Sequence, residues 1–145
     1  MSFSQVSPSV KAKVKALTFE YSDGPQPNLL ISVPNPCPDV GYGESLFYPE
    51  FTSLCPLSPS QPDYATLTII YKPKDSIIEL KSLKFYLVSY RQVLIFHEAV
   101  VSQILRDLVD CCQPKEMVVV GKFNVRGGIE TTISARFPTS MRLRD

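Results

Sequence analysis

The stretch Ala65–Tyr86, "ATLTIIYKPKDSIIELKSLKFY", decides the fold. Its first seven residues put Ala65, Leu67, Ile69 and Tyr71 on one face, the period-two pattern of a strand with one buried side. "KPKD" ends that strand. Farther on the period changes, and Leu80, Leu83, Leu87 and Tyr90 recur at helical spacing. Working outward, a second helix follows. Val100, Ile104 and Leu108 form one apolar row and Val101, Leu105 and Val109 the next, with Gln103, Arg106, Asp107 and Asp110 left for solvent. Pro114 marks its end. Met117–Phe123 and Glu130–Phe137 then read as strands joined by a turn at Gly127-Gly128, with Thr131, Ile133, Ala135 and Phe137 on one face. Upstream, Glu44–Leu54 reads as extended and bent at Pro49. The Pro-, Gly- and Asn-rich run from Ser22 to Gly43 is a loop with one short extended piece at Leu29–Val33. Leu17–Tyr21 alternates and reads as an additional N-terminal strand.

The order strand, strand, helix, helix, strand, strand predicts an α+β fold, an antiparallel sheet with two helices on one face. Such an open sheet has two free edges, which are usually covered or paired with another chain. The 145 residues fit one domain over 16–145. Residues 1–15 are polar, carry Lys11, Lys13 and Lys15, and are expected to form a flexible arm. A formal net charge of +1 gives no electrostatic reason to expect nucleic acid or a membrane as partner. No apolar run approaches the roughly 20 residues of a membrane helix. The N-terminus lacks a signal-type apolar core, so a cytoplasmic protein is expected. Cys37, Cys55, Cys111 and Cys112 have the spacing of neither a disulfide framework nor a zinc site and are expected to be reduced. No metal is expected.

Between two strand-like segments lies "PEFTSLCPLSPSQPDYAT", Pro49–Thr66. Cys55 there can be a nucleophile if its surroundings stabilise a thiolate, or a packed small hydrophobe. Asp63 can be a proton donor beside it, or a strand-entry residue. His97, the single histidine, falls on the same helix face as Val101 and Leu105. Glu98 sits in that helix's first turn, where the dipole favours a carboxylate. It also has the geometry to accept two parallel hydrogen bonds from a guanine-like edge. Lys81 and Lys84, three apart, are either a solvated face or a phosphate contact near a helix start. Neither a GxGxxG nor a Walker loop is present, so any dinucleotide binds without a Rossmann unit.

Taken together, "EFTSLCP", "QPDYAT", "ELKSLKFY", "FHE" and "GKFNVRGG" resemble the NADPH-dependent 7-cyano-7-deazaguanine reductases, the nitrile reductases of queuosine biosynthesis, in their short single-module form. The resemblance covers about Phe47 to Ile129. It implies the tunnelling fold and a homo-oligomeric ring or double ring made by pairing sheet edges. It implies that Cys55 adds to the nitrile carbon to give a thioimidate and that Asp63 protonates the nitrile nitrogen. It places His97 at the catalytic and substrate site and Glu98 on the guanine-like edge. Ile78, Glu79 and Leu80 would line the substrate site. Lys81, Ser82 and Lys84 would lie near NADPH, with Arg126 as a further contributor. The substrate implied is a small 7-deazaguanine, with no direct nucleic-acid partner.

Two departures stand out. "LSPS" carries one residue more than the family usually has between the cysteine and the aspartate. Val100 stands where some members have a second cysteine that can bridge the nucleophile, so no such disulfide is expected. Competing readings are an amidinotransferase of the same fold acting on the nitrile base, and a ring-forming purine- or pterin-binding protein. The first is expected to lack the Glu-x-Lys-Ser-x-Lys segment. The second would keep Glu98 but would not need Cys55 or Asp63.

Overall fold

The computed structural model describes residues 6–140. Its elements are α1 (Pro8–Lys15), β1 (Ser32–Pro34), β2 (Glu44–Cys55), β3 (Ser58–Lys72), β4 (Ser76–Ile78), α2 (Leu80–Val88), α3 (His97–Cys112), β5 (Glu116–Arg126) and β6 (Ile129–Phe137). The main sheet runs β2-β3-β5-β6 with every neighbouring pair antiparallel, and β1 and β4 form a small second sheet.

The alternation read at Ala65–Tyr71 is the core of the molecule. Ala65, Leu67, Ile69 and Tyr71 of β3 are buried, and so are Met117, Val119 and Phe123 of β5 in register beside them. α3 covers this face, and its row Val100, Ile104 and Leu108 has no solvent exposure. Burying such side chains stabilises by roughly 1.5–3 kcal/mol each. The opposite face of the sheet has no cover among the described residues, and Phe47 and Ile70 on it stand exposed.

α2 starts where the Glu79 carboxylate caps it, accepting from the amides of Lys81 (2.9 Å) and Ser82 (2.7 Å). It continues as a 3-10 turn over Ser89–Gln92. α3 stops at Gln113, whose left-handed φ of 45° closes the helix before Pro114. Gly127 and Gly128, at φ +58° and +79°, make the two-residue β5–β6 turn, angles at which a side chain would be strained.

Four local expectations are corrected. Leu17–Tyr21 forms no strand. Leu17 and Phe19 do pack on the core, and Phe19 meets Phe85 at 5.7 Å, but no neighbouring strand supplies a ladder. Within the expected arm, residues 8–15 form α1, capped by Ser7 and burying no side chain, while residues 1–5 lie outside the described residues. Leu80 is exposed, because the first turn of α2 overhangs the core. Asp107 is buried rather than solvated. Its carboxylate accepts from Tyr86 Oη (2.6 Å) and Gln103 Nε2 (2.8 Å), and Tyr86 and Tyr90 share a hydroxyl–hydroxyl bond of 2.8 Å. The two tyrosines come from the preceding helical segment, so this pairing is invisible along α3 alone. No helix of the described residues is long and apolar enough to cross a membrane.

Candidate active site

Cys55 is the last residue of β2. Pro56 and Leu57 turn the chain, and Ser58 begins β3 opposite Cys55. The register then jumps. Leu54 pairs with Pro62, leaving Pro59, Ser60 and Gln61 outside the ladder. Prolines at 56, 59 and 62 have no N–H to give a ladder, so the break falls there. The segment "LSPS", to which the resemblance assigns one residue more than usual, runs into this bulge. β3 regains register with Asp63 opposite Ser53, and Asp63 is buried, only 3% exposed. Ser53 Oγ, also buried, has no hydrogen-bond partner among the described residues.

A second device brings α3 to the hairpin. Leu54 donates to Val93 O (2.9 Å) and accepts from Ile95 N (3.0 Å), a short parallel bridge one residue before Cys55 and two before His97. His97 therefore enters α3 beside the cysteine strand. Its ring stacks on Phe123, centroids 3.8 Å apart and 12° from parallel. Its Nε2 lies 3.2 Å from Asp63 Oδ2. Arg126, at the end of β5, donates through Nη1 to Asp63 Oδ1 and through Nη2 to Gln61 Oε1. The bond to Asp63, then that carboxylate's charge and to a lesser degree Cys55, push the guanidinium above its ordinary value. Cys55, Asp63, His97 and Arg126 thus form one cluster: a half-buried thiol, a buried carboxylate with an imidazole, and a cation. Glu98, exposed in the first turn of α3, adjoins it. Chemically, the cluster can add sulfur to an electrophile and pass a proton between carboxylate, imidazole and substrate.

The remaining expected site residues lie elsewhere. Ile78, Glu79, Leu80, Lys81, Ser82 and Lys84 cluster around the β4–α2 junction, where Ile78 N donates to Tyr71 Oη at 3.2 Å. Tyr71 is eight residues along β3 from Asp63, about 26 Å at 3.3 Å per residue. One chain therefore holds the two halves of the expected substrate site at opposite ends of its sheet. Ile78 is a core side chain, 2% exposed, so only its backbone faces outward chemistry. The Glu79 carboxylate is engaged as the α2 cap. Ser82 departs from expectation. Its buried hydroxyl accepts from Ile31 N (3.0 Å) and donates to Glu79 O (2.7 Å), which leaves nothing for a cofactor. Lys81 and Lys84 are exposed on the first turns of α2 and fit phosphate by charge. Lys81 Nζ meanwhile contacts the C-terminal carbonyls of α1, at 2.9 Å on Val14 and 3.3 Å on Lys15. Sequence reasoning named Arg126 only as a contributor and missed Gln61 and Ser53, for which the sequence carries no distinguishing signal.

Comparison with known proteins shows what the chain is similar to. The family model described as QueF-like protein matches residues 62–141. A curated relative from Nitrosococcus oceani, named NADPH-dependent 7-cyano-7-deazaguanine reductase, is 50% identical over 113 residues, covering 77% of this chain and 87% of that protein. The protein of the same name from Microcystis aeruginosa is 39% identical over 132 residues, 91% of this chain and 97% of its own. Among solved structures, the archaeosine synthase QueF-Like in its apo form superposes with a TM-score of 0.58 at 22% identity, covering 66% of this chain and 91% of that one, which shows a shared fold. The hairpin that presents Cys55 and the α+β frame behind it, read with these relatives, place the chain in the QueF-like family of tunnelling-fold proteins.

Proposed function

We propose that this chain is an NADPH-dependent reductase of 7-cyano-7-deazaguanine, converting the nitrile to the primary amine in queuosine biosynthesis. The observation that carries the reading is the single cluster of Cys55, Asp63 and His97, in a chain up to half identical to reductases of that name. Cys55 attacks the nitrile carbon. A carbon–sulfur bond forms, one carbon–nitrogen π bond breaks, and the nitrogen takes a proton from the Asp63–His97 pair, giving a thioimidate. NADPH, when bound, supplies hydride, and two equivalents account for the four electrons between nitrile and amine. The chain's own work is to hold the carbon against Cys55, to return the thiol as the sulfur leaves, and to feed protons to nitrogen. His97 is fixed for this by its stack on Phe123. Glu98, beside it, accepts the paired N–H groups of the deazaguanine edge. Lys81 and Lys84 would hold the cofactor's phosphates, and their charge suits that role.

A homo-oligomer completes the site. The separation of Glu79–Lys84 from Cys55 along β3 favours a site shared between copies. The uncovered sheet face with Phe47 and Ile70, and the outer edge of β6, offer the surfaces. The test is direct. Purified protein with the nitrile base should oxidise two NADPH per amine formed, and light scattering should give a multiple of the chain mass. Adduct formation without any NADPH oxidation would favour the amidinotransferase chemistry of the archaeosine-synthase relative instead. Binding of the base with neither adduct nor oxidation would favour a purine-binding protein.

A further inference from the structure

Arg126 reaches the site because β5 breaks its own alternation. Met117, Val119, Gly121 and Phe123 face the helices, and period two would bring Val125 inward next. Between the pairs Phe123–Thr131 and Arg126–Ile129 the register shifts, so Asn124 and Val125 together oppose Glu130. Such a bulge turns the side chains after it to the other face. Val125 accordingly stands 57% exposed, and Arg126 points to β3. The Gly127-Gly128 turn reverses the chain immediately behind it. The guanidinium then holds Gln61 and Asp63, on either side of Pro62, so it also fixes the bulge of the cysteine hairpin.

The consequence is chemical. Asp63 has Oδ1 on Arg126 and Oδ2 at 3.2 Å from His97 Nε2. Arg126 takes Oδ1, which leaves Oδ2 as the oxygen that meets the imidazole. We propose that Arg126 is a positioning residue for the addition step: it anchors Asp63 by one oxygen and Gln61 beside it, so that the other oxygen of Asp63 stays on His97. This rests on the nitrile-reductase reading above. The step balances without a redox partner. The proton that leaves the Cys55 thiol passes through the Asp63–His97 pair to the nitrile nitrogen, which receives the electron pair of the broken π bond as sulfur bonds to carbon.

The experiment measures the rate of adduct formation with 7-cyano-7-deazaguanine by intact mass, without NADPH, beside thermal unfolding of each variant. Arg126→Gln, which loses the charged anchor of Asp63, should slow addition about tenfold. Arg126→Lys, which keeps a charged donor for Asp63, should restore most of the rate. A wild-type rate in Arg126→Gln would overturn the proposal. So would equal slowing in both variants that follows their loss of stability, the mark of a structural role, and so would a change confined to the Michaelis constant for NADPH. No adduct in the wild type would overturn the nitrile-reductase reading itself, and this proposal with it.

Discussion

Gly121→Ala should destabilise the protein and slow it, although Gly121 touches no expected substrate group. Gly121 lies in β5 under α3, with an ordinary strand backbone, so replacing glycine there would by itself stabilise by about 0.4–1 kcal/mol through the unfolded chain. The structure reverses that sign. An added Cβ would stand 2.7 Å from Val101 Cγ2, 3.1 Å from Phe123 Cε2 and 3.4 Å from Leu67 Cδ2. Carbon atoms prefer about 3.5–4.0 Å, so the Val101 contact must open by roughly an ångström. Val101 is fully buried on α3 and cannot rotate away freely, so the helix must lift or β5 must yield. Overpacking of this kind costs about 1–3 kcal/mol, which leaves a net loss of up to about 2.5 kcal/mol. At roughly 3 °C per kcal/mol for a domain of this size, the Tm falls by up to about 8 °C. The same displacement moves the start of α3, where His97 stacks on Phe123, so adduct formation should fall together with stability. Thermal unfolding at one fixed protein concentration, paired with the adduct rate, is the assay. A Gly121→Ala protein as stable as the wild type would refute the packing argument. One destabilised as expected but with an unchanged adduct rate would refute the link from Phe123 to His97.

Other outcomes follow from the same geometry. Glu98→Gln replaces an acceptor by a donor against the base, and affinity for 7-cyano-7-deazaguanine should drop about 30-fold or more by calorimetry, equivalent to about 2 kcal/mol. Unchanged affinity would make Glu98 a helix-start carboxylate only. Lys81→Ala and Lys84→Ala should each raise the Michaelis constant for NADPH and flatten its dependence on salt, while the adduct still forms. Ser82→Ala, by contrast, should leave that constant alone and lower stability by about 1–3 kcal/mol, because Ile31 N loses its buried acceptor. Alkylation at pH 8 should mark the cysteines unequally. Burial pushes the Cys111 thiol up to about 11 and Cys112 up to about 12. Those two carry about a thousandth or less of the thiolate at that pH, so half-buried Cys55 and exposed Cys37 should react first by peptide mapping.

Much of the frame was legible because it is periodic. The faces of β3 and α3 follow from residue spacing alone, and the Gly127-Gly128 turn from its composition. What failed depended on partners far along the chain. Leu17–Tyr21 has the alternation of a strand but no neighbour to pair with. Asp107 looked solvated on its own helix, and only Tyr86 and Tyr90 make it a core residue. The site divides the same way. Cys55 and Asp63 were legible as a pair because one hairpin carries both. The link from Leu54 to Val93 and Ile95, which brings His97 in, joins segments about forty residues apart and has no local mark. Arg126 was the least legible, since by alternation Val125 should point inward and only the bulge at Asn124–Val125 reverses the two. Ser82 sat in a motif with two lysines and was grouped with them, yet its burial against Ile31 gives it a different task.

The central claim is that Cys55 forms a covalent bond with the nitrile carbon. Intact-mass analysis of the protein mixed with 7-cyano-7-deazaguanine, before and after NADPH is added, tests it most directly. The account predicts a mass increase of one base on the wild type, mapped to the peptide containing Cys55 and discharged by NADPH with release of the amine. It predicts no increase and no turnover for Cys55→Ala at unchanged circular dichroism, and full activity when Cys37, Cys111 or Cys112 is replaced. An adduct on Cys55→Ala, or turnover by that variant near the wild-type rate, would contradict it.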